Sequence, residues 1–276
     1  MEGSRLVRKA AGYLEARGIA SPHAEAEALV MYALGTDRTG LYSDRAIGLG
    51  AATRIARALC RRCEGVPLQH LTGEQPFLDL TLAVRPGVFI PRPETETVVE
   101  RALEILEGIE GPVVVDVGTG TGAIALSIKR ARPDARVLAT DRSPGAIALA
   151  GENAARHGLE IELLPGDLLA PLPGELRGRL SLIVSNPPYV TEEEYAALPR
   201  EVLADPREAL LGGIEVHRRL TEEAPRWLRP GGRLVMEIGE TQGAEVRALL
   251  EGGFADIRIL PDLAGRDRVA LARRDG

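Results

Sequence analysis

Cysteine, lysine, histidine and long apolar runs are all scarce in this 276-residue chain, and each scarcity narrows what it can do. The only thiols are Cys60 and Cys63, spaced as Cys-Arg-Arg-Cys. Two thiols cannot close a zinc site alone. A redox Cys-x-x-Cys belongs at a strand-to-helix junction, whereas this pair ends a stretch from about Ala51 to Glu64 that reads as helix, so a structural role and no metal are expected. No apolar stretch approaches the roughly 18 residues that span a bilayer. Met1-Glu-Gly-Ser-Arg5 has no apolar segment behind a basic start, so the expectation is a cytoplasmic protein without membrane attachment. His23, His70, His157 and His217 do not cluster, which leaves no histidine-based general-base group to build on.

The basic residues are almost all arginine, with Lys9 and Lys129 the only lysines, and the net charge is −6. Such a balance argues against a broad non-specific nucleic-acid surface, so direct nucleic-acid binding is not expected. The acid excess falls after residue 85, leaving the amino-terminal part mildly basic and suited to an interaction face.

Two unequal parts are expected. From Ser4 to Arg17, Leu6, Val7, Ala10, Ala11 and Leu14 recur at helical spacing, and Gly18 ends the run. Ser21-Pro22 then places a cap residue before a proline that opens a second helix, closed at Gly35. Further helical segments near Asp44 to Ile47 and from Ala51 to Glu64 make residues 1–72 an all-α unit. Residues 73–86 alternate as a β-hairpin linker through Phe77, Leu78, Leu80, Leu82 and Val84. Pro86 to Glu96 follows, a loop stiffened by proline that carries Phe89, Arg92 and Glu94, and Thr95 to Leu106 restarts a helix.

From residue 112 the pattern changes to α/β, within a larger part expected over residues 87–276. Apolar runs Val113 to Val117, Val137 to Thr140, Ile161 to Leu164, Leu180 to Val184 and Leu234 to Ile238 are separated by helical stretches, as a doubly wound parallel sheet requires. Phe254 to Leu260 and Arg268 to Ala272 are joined by only a loop, the signature of a closing antiparallel hairpin.

After the first of these strands comes Asp116-Val-Gly118-Thr119-Gly120-Thr121-Gly122. The glycines permit a tight turn and close approach of a ligand to a helix amino terminus. Gly118-x-Gly120-x-x-Ala123 also fits the loose dinucleotide fingerprint, so the loop alone leaves the adenosine-containing cofactor open. Asp116 would face a pyrophosphate unfavourably and suits a ligand bearing an ammonium and a sulfonium. Asp141, at the next strand end, is placed to accept from ribose hydroxyls. Asp167 and Leu168, at the third, offer a carboxylate to an adenine amino group and an apolar contact for its face. Each acid singly is an ordinary cap or loop residue; together, at successive strand ends, they describe a cofactor site.

Leu180 to Ser185 runs directly into Asn186-Pro187-Pro188-Tyr189. This tetrapeptide combines a rigid backbone, an amide that donates and accepts, and a flat aromatic face, which suits gripping a planar NH2 group.

In this order the motifs resemble those of class I S-adenosylmethionine-dependent methyltransferases, as does Trp227-Leu-Arg-Pro-Gly-Gly-Arg-Leu-Val235. The resemblance implies a Rossmann-like, seven-stranded, mostly parallel sheet. Asn-Pro-Pro-Tyr is similar to the motif of enzymes that methylate nitrogens conjugated with a π system, where Asn186 Oδ1 and the Pro187 carbonyl would each accept an N–H and Tyr189 would stack on the target. Alignment then supplies most of the acceleration, and no general base is needed.

Pro67-Leu-Gln-His-Leu-Thr-Gly73 with Phe77, Val88-Phe-Ile-Pro-Arg-Pro-Glu-Thr-Glu96, and Asp205-Pro-Arg-Glu-Ala-Leu-Leu-Gly-Gly213 resemble the PrmC/HemK family. That family methylates the glutamine of the Gly-Gly-Gln motif in class I peptide-chain release factors. By this resemblance S-adenosylmethionine would be held by Gly118 to Gly122, Asp141, Leu168 and Asn186, with Phe89 and Arg92 at its methionine end. The glutamine amide would lie against Asn186 to Tyr189, and residues 1–72 would dock the release factor. A monomer is expected. Position 168 is often aromatic in the family and is Leu here; Asp205 stands where Glu is commoner. The alternatives are methylation of a nucleobase nitrogen, which calls for a basic cleft and a target-reading domain, and a non-catalytic cofactor-binding module.

Overall fold

Why the α/β part folds as a sheet with two covered faces is written in its strands. Val113–Val117 (β3) and Leu180–Ser185 (β6) are buried along almost their whole length, so both faces need apolar side chains and the runs are continuous rather than alternating. The computed structural model describes residues 3–42 and 48–275. The helical segment expected near Asp44 to Ile47 lies outside the described residues.

The chain divides into two units, Met1–Glu74 with Pro199–Ala204, and Gln75–Leu198 with Asp205–Gly276. The smaller is built on helices Gly3–Glu15, Pro22–Leu34 and Leu49–Cys63, which bury Val7, Leu14, Leu29, Val30 and Leu59 in one cluster. Gly35 closes the second helix in the left-handed conformation, φ 61°, which glycine adopts without a Cβ penalty. Ser21 does not cap as expected, since its side chain accepts no hydrogen bond at that helix start. The nearly buried Arg62 pairs with Glu25 and, at 2.8 Å, with Glu201 of the Pro199–Ala204 segment. Sequence patterns offered no hint of this excursion from the α/β part, because it rests on a pair 139 residues apart.

In the larger unit the hairpin Glu74–Phe77 (β1) and Leu80–Ala83 (β2) is more than a linker. Phe77, Leu80 and Leu82 join the core beneath helices Thr95–Leu106 and Ala123–Ala131. The main sheet adds Arg136–Asp141 (β4), Glu162–Pro165 (β5), Leu228–Glu237 (β7), Phe254–Pro261 (β8) and Asp267–Arg274 (β9). Its order is β5-β4-β3-β6-β7-β9-β8. The first five of these pair in parallel, and β9 joins β7 and β8 antiparallel. The other face is covered by Leu220, Trp227, Val246 and Leu250. One strand differs from expectation: β7 begins at Leu228 rather than Leu234. Leu180 already pairs with Leu228, and the irregularity before the Leu182–Arg233 pair absorbs Pro230-Gly-Gly232.

From β3 the chain winds outward through β4 and β5, then returns to place β6 on the opposite side of β3. The crevice at this reversal, beyond the carboxyl ends of the strands, is where such sheets bind ligands. The glycine loop leaves β3 there and Asn186-Pro-Pro-Tyr189 leaves β6.

Asn153, fully buried on the helix Pro144–His157, ties this crevice to the hairpin. Its Oδ1 accepts from Ala83 N at 2.7 Å, and its Nδ2 donates to Ala83 O at 3.1 Å and Thr121 O at 2.9 Å. Asn153→Ala would strand three buried backbone groups and should cost about 3 kcal/mol. Urea unfolding followed at Trp227, the single tryptophan, checks this; a loss under about 0.5 kcal/mol would show that the clamp is dispensable.

Candidate active site

The glycine loop holds its shape through left-handed backbone at Gly118, Gly120 and Gly122 (φ 73°, 57° and 85°) and through side chains beneath it. Gly118 N and Thr119 N both donate to Thr140 O at 2.9 Å. Asp116 is fully buried; its Oδ2 accepts from Thr119 Oγ1 at 2.6 Å and Ala125 N at 3.1 Å. It therefore lies under the loop rather than on its surface, with Oδ1 left without a partner. Burial pushes this carboxyl up to about 7, against the two hydrogen bonds that favour its ionised form. Thr121 Oγ1 is likewise buried and unpaired. An acid with an unsatisfied oxygen in low dielectric fits a ligand that brings positive charge to the loop.

Asp141 ends β4 as expected. Its Oδ2 accepts from Gly120 N at 2.9 Å and its Oδ1 from Ser143 N at 2.8 Å, so it braces the loop while each oxygen keeps a second lone pair. Ser143 caps its helix through Ala146 N at 3.3 Å. After β5, Asp167 is exposed and paired with Arg219 Nη2 at 2.7 Å, a partner that no local pattern announces. Leu168 stands in left-handed backbone, φ 46°, held by Thr140 Oγ1, which donates to Leu168 O at 2.8 Å. Non-glycine residues adopt this region rarely and at a cost, and such strain gathers at functional sites.

The loop with three prolines is anchored by Asp205. This acid, 3% exposed, accepts from Ile90 N at 3.0 Å and pairs with Arg92. Arg92 also lies over the Phe89 ring, 5.2 Å from its centroid. Burial raises the Asp205 carboxyl and the guanidinium opposes the rise. The Asp at this position thus ties Phe89 and Arg92 to the segment after the tetrapeptide.

Ser185 Oγ donates to Val117 O at 2.7 Å and locks the end of β6 to the end of β3. Asn186, next in line, donates from Nδ2 to Thr95 Oγ1 at 3.0 Å. Thr95 Oγ1 donates in turn to Glu237 Oε2 at 2.6 Å, and Tyr189 OH donates to Glu237 Oε1 at 3.2 Å. Glu237, 2% exposed at the end of β7, is pushed up to about 7 by burial, opposed first by the Thr95 hydrogen bond and next by the charge of Arg268. Burial also raises the Tyr189 phenol. Gln242 Nε2 donates to Tyr189 O at 3.0 Å. Pro188 is fixed by contact with Gly212, where a Cβ would fall 2.1 Å from Pro188 O, so only glycine fits.

Sequence reasoning named Asn186 to Tyr189, the glycine loop, Asp141, Phe89 and Arg92, and these residues line the ends of β3, β4 and β6 or the loop before Thr95. It missed Thr95 and Glu237. The signal for Thr95 was a polar residue opening a helix right after a constrained loop; for Glu237, it was a lone acid closing an apolar strand.

Among known protein families, the Methyltransferase small domain model matches residues 79–215, and the PrmC N-terminal domain model matches residues 5–73. The chain is 44% identical over 270 residues to the release factor glutamine methyltransferase of Moorella thermoacetica, covering 95% of this chain and 94% of that protein. It is 42% identical over 276 residues to the protein of the same name from Deinococcus radiodurans, covering 98% of each. Among solved structures, it resembles the 16S rRNA N2 G1207 methyltransferase of T. thermophilus in complex with AdoMet and guanosine. There the TM-score is 0.56 at 24% identity, with 73% of this chain and 49% of that one covered, a likeness of fold.

The protonation of Asp116 is open to test. With its carboxyl at about 7 in the folded chain against 3.8 for the free side chain, the native state keeps a proton that the unfolded chain has released between about pH 4 and 7. Stability contributed by this group therefore falls as pH rises through that interval. Relative to wild type, Asp116→Asn should gain up to about 4 kcal/mol between pH 4 and pH 8. Urea titrations at both pH values measure the difference; one that does not change with pH would rule out the raised value.

Proposed function

We propose that this chain, which belongs to the release factor glutamine methyltransferase family, transfers a methyl group from S-adenosylmethionine to the side-chain amide nitrogen (N5) of the Gly-Gly-Gln glutamine in class I peptide-chain release factors. The observation that carries the reading is the orientation of Asn186: its NH2 is committed to Thr95, which leaves the oxygen as the group offered to a substrate. An oxygen acceptor beside the Pro187 carbonyl suits a planar NH2, whose two N–H bonds need two acceptors.

When bound, S-adenosylmethionine supplies a methyl group made electrophilic by a positive sulfur and is left as S-adenosylhomocysteine. The residues proposed to hold it are Gly118, Thr119, Gly120, Thr121 and Gly122 in the loop, with Asp116 acting from beneath it through its charge, Asp141 for the ribose, Asp167 and Leu168 for the adenine, and Phe89, Arg92 and Asn186 for the methionine end. Asp141 would hold the ribose with lone pairs left over from its two backbone contacts. Asp167 would hold the adenine amino group only by sharing its carboxylate with Arg219.

Asn186 Oδ1 and the Pro187 carbonyl each accept one N–H of the glutamine amide, and Tyr189 packs against its plane. An amide nitrogen is a weak nucleophile because its lone pair is delocalised. Fixing both N–H bonds turns that lone pair toward the methyl, and this alignment is the main source of acceleration. The extra proton on the methylated nitrogen is strongly acidic and leaves to solvent. The helical unit is proposed to dock the release factor, in line with the PrmC N-terminal domain match over residues 5–73 and the basic row Arg54, Arg57 and Arg61 on the helix Leu49–Cys63.

Incubation with S-adenosylmethionine and a class I release factor, followed by peptide mass mapping, should place one methyl on the Gly-Gly-Gln glutamine; an unmodified glutamine refutes the proposal. Asn186→Ala should lower kcat by about 100-fold or more, the scale of losing one oriented polar contact, and should weaken the cofactor far less than Asp141→Ala. Asp141→Ala should chiefly weaken the cofactor. Matching losses of cofactor affinity in both would show that the roles are wrongly divided. Arg57→Glu with Arg61→Glu should raise KM for the release factor and spare kcat at saturation; an unchanged KM removes the docking role.

A further inference from the structure

Thr95, Glu237 and Asn186 form a hydrogen-bond chain whose direction is dictated by its last member. An ionised carboxylate only accepts. Both Glu237 oxygens are used, Oε2 by Thr95 Oγ1 at 2.6 Å and Oε1 by Tyr189 OH at 3.2 Å. Thr95 has a single hydroxyl proton, and the carboxylate takes it. What remains at Thr95 Oγ1 is lone pairs, so the Asn186 group facing it at 3.0 Å must be the NH2. The amide oxygen is thereby turned to the opposite side.

We propose that Glu237 is a positioning residue which, through Thr95, orients the Asn186 amide so that its oxygen faces the acceptor nitrogen. This rests on the methyl-transfer reading above. The same carboxylate holds the Tyr189 hydroxyl, so one buried acid sets two members of the tetrapeptide from the end of a neighbouring strand. Burial raises the carboxyl to about 7, so this orientation belongs to the ionised form above that pH, which Arg268 favours among the groups facing it. Arg268 of β9 donates from Nη1 to Ile238 O at 3.3 Å and lies 3.5 Å from Tyr189 OH. Its charge opposes the burial that raises the Glu237 carboxyl to about 7, while Glu94 acts the other way. His217 holds the Glu237 backbone through its carbonyl, Nε2 to O 2.8 Å. A protonated Glu237 would donate to Thr95 and free the Thr95 proton for the Asn186 oxygen, which reverses the amide and presents NH2 to NH2.

Substitutions that separate hydroxyl from shape test this in the full chain. Thr95→Val keeps the branched form and removes the proton; kcat should fall about 100-fold, the scale of a misplaced reacting group, with cofactor Kd within about twofold. Thr95→Ser restores the hydroxyl and should recover most of kcat. A Thr95→Val enzyme with wild-type kcat, or a Thr95→Ser enzyme as slow as Thr95→Val, overturns the proposal. A thermal-stability cycle needs no activity and carries the test should Thr95→Val fail to fold. Asn186→Asp places a second carboxylate against the one Thr95 proton, and Glu237→Gln supplies a donor that relieves the conflict. The Tm gain from Glu237→Gln should be larger in Asn186→Asp than in wild type; an equal or smaller gain overturns the orientation. A wild-type chain that leaves the release factor unmethylated defeats the proposed function instead, and the cycle still reports on the amide.

Discussion

A carboxylate taken out of water costs several kcal/mol unless its oxygens find donors, and the larger unit buries three of them around one crevice. Asp116, Asp205 and Glu237 are at most 3% exposed, and each accepts from a loop or from the helix start that follows one. Asp116 holds Thr119 and Ala125 at the glycine loop, Asp205 holds Ile90 and Arg92 of the proline loop, and Glu237 holds Thr95 and Tyr189. Apolar packing alone would leave Ile90 N and Ala125 N, and the hydroxyls of Thr95, Thr119 and Tyr189, without these acceptors. A buried acid with several donors fixes position and direction together, at the expense of stability. In Asp116 and Glu237 that expense appears as carboxyls raised to about 7.

How much of this was legible follows from the range of each interaction. Periodicity and glycine spacing are local, so Val113 to Val117 and the helix Thr95 to Leu106 were placed with the bounds the structure gives them. The loop from Gly118 to Gly122 and the tetrapeptide after β6 were found for the same reason. Partners are another matter: Thr95 meets Glu237 across 142 residues, and Arg92 meets Asp205 across 113. One strand was shortened because Pro230-Gly-Gly232 reads as a turn, whereas the sheet tolerates it as an irregularity in a parallel pair. Asp116 was expected to face a cation directly. Its place under the loop depends on Thr119 folding back over it, a closure that residue types alone do not reveal.

Leu168 shows how a departure from a family pattern is absorbed. Its backbone is held left-handed by Thr140, so the direction of the side chain is set by the loop and not by which side chain it is. A β-branched residue would strain that conformation further; an unbranched Cβ does not. The leucine packs against the cluster that contains Leu169 and Leu176 and keeps part of its surface open. A planar ring laid on it would gain burial at about 25 cal/mol per Å² and would forgo the roughly 0.5–1.5 kcal/mol that an aromatic pair adds beyond area. In the proposed site that difference is within what other contacts along the glycine loop and at Asp141 would offset. In the proposed cofactor site, replacing the aromatic would therefore weaken one end without touching the Asn186 geometry, which is built on β6, β7 and the helix that starts at Thr95.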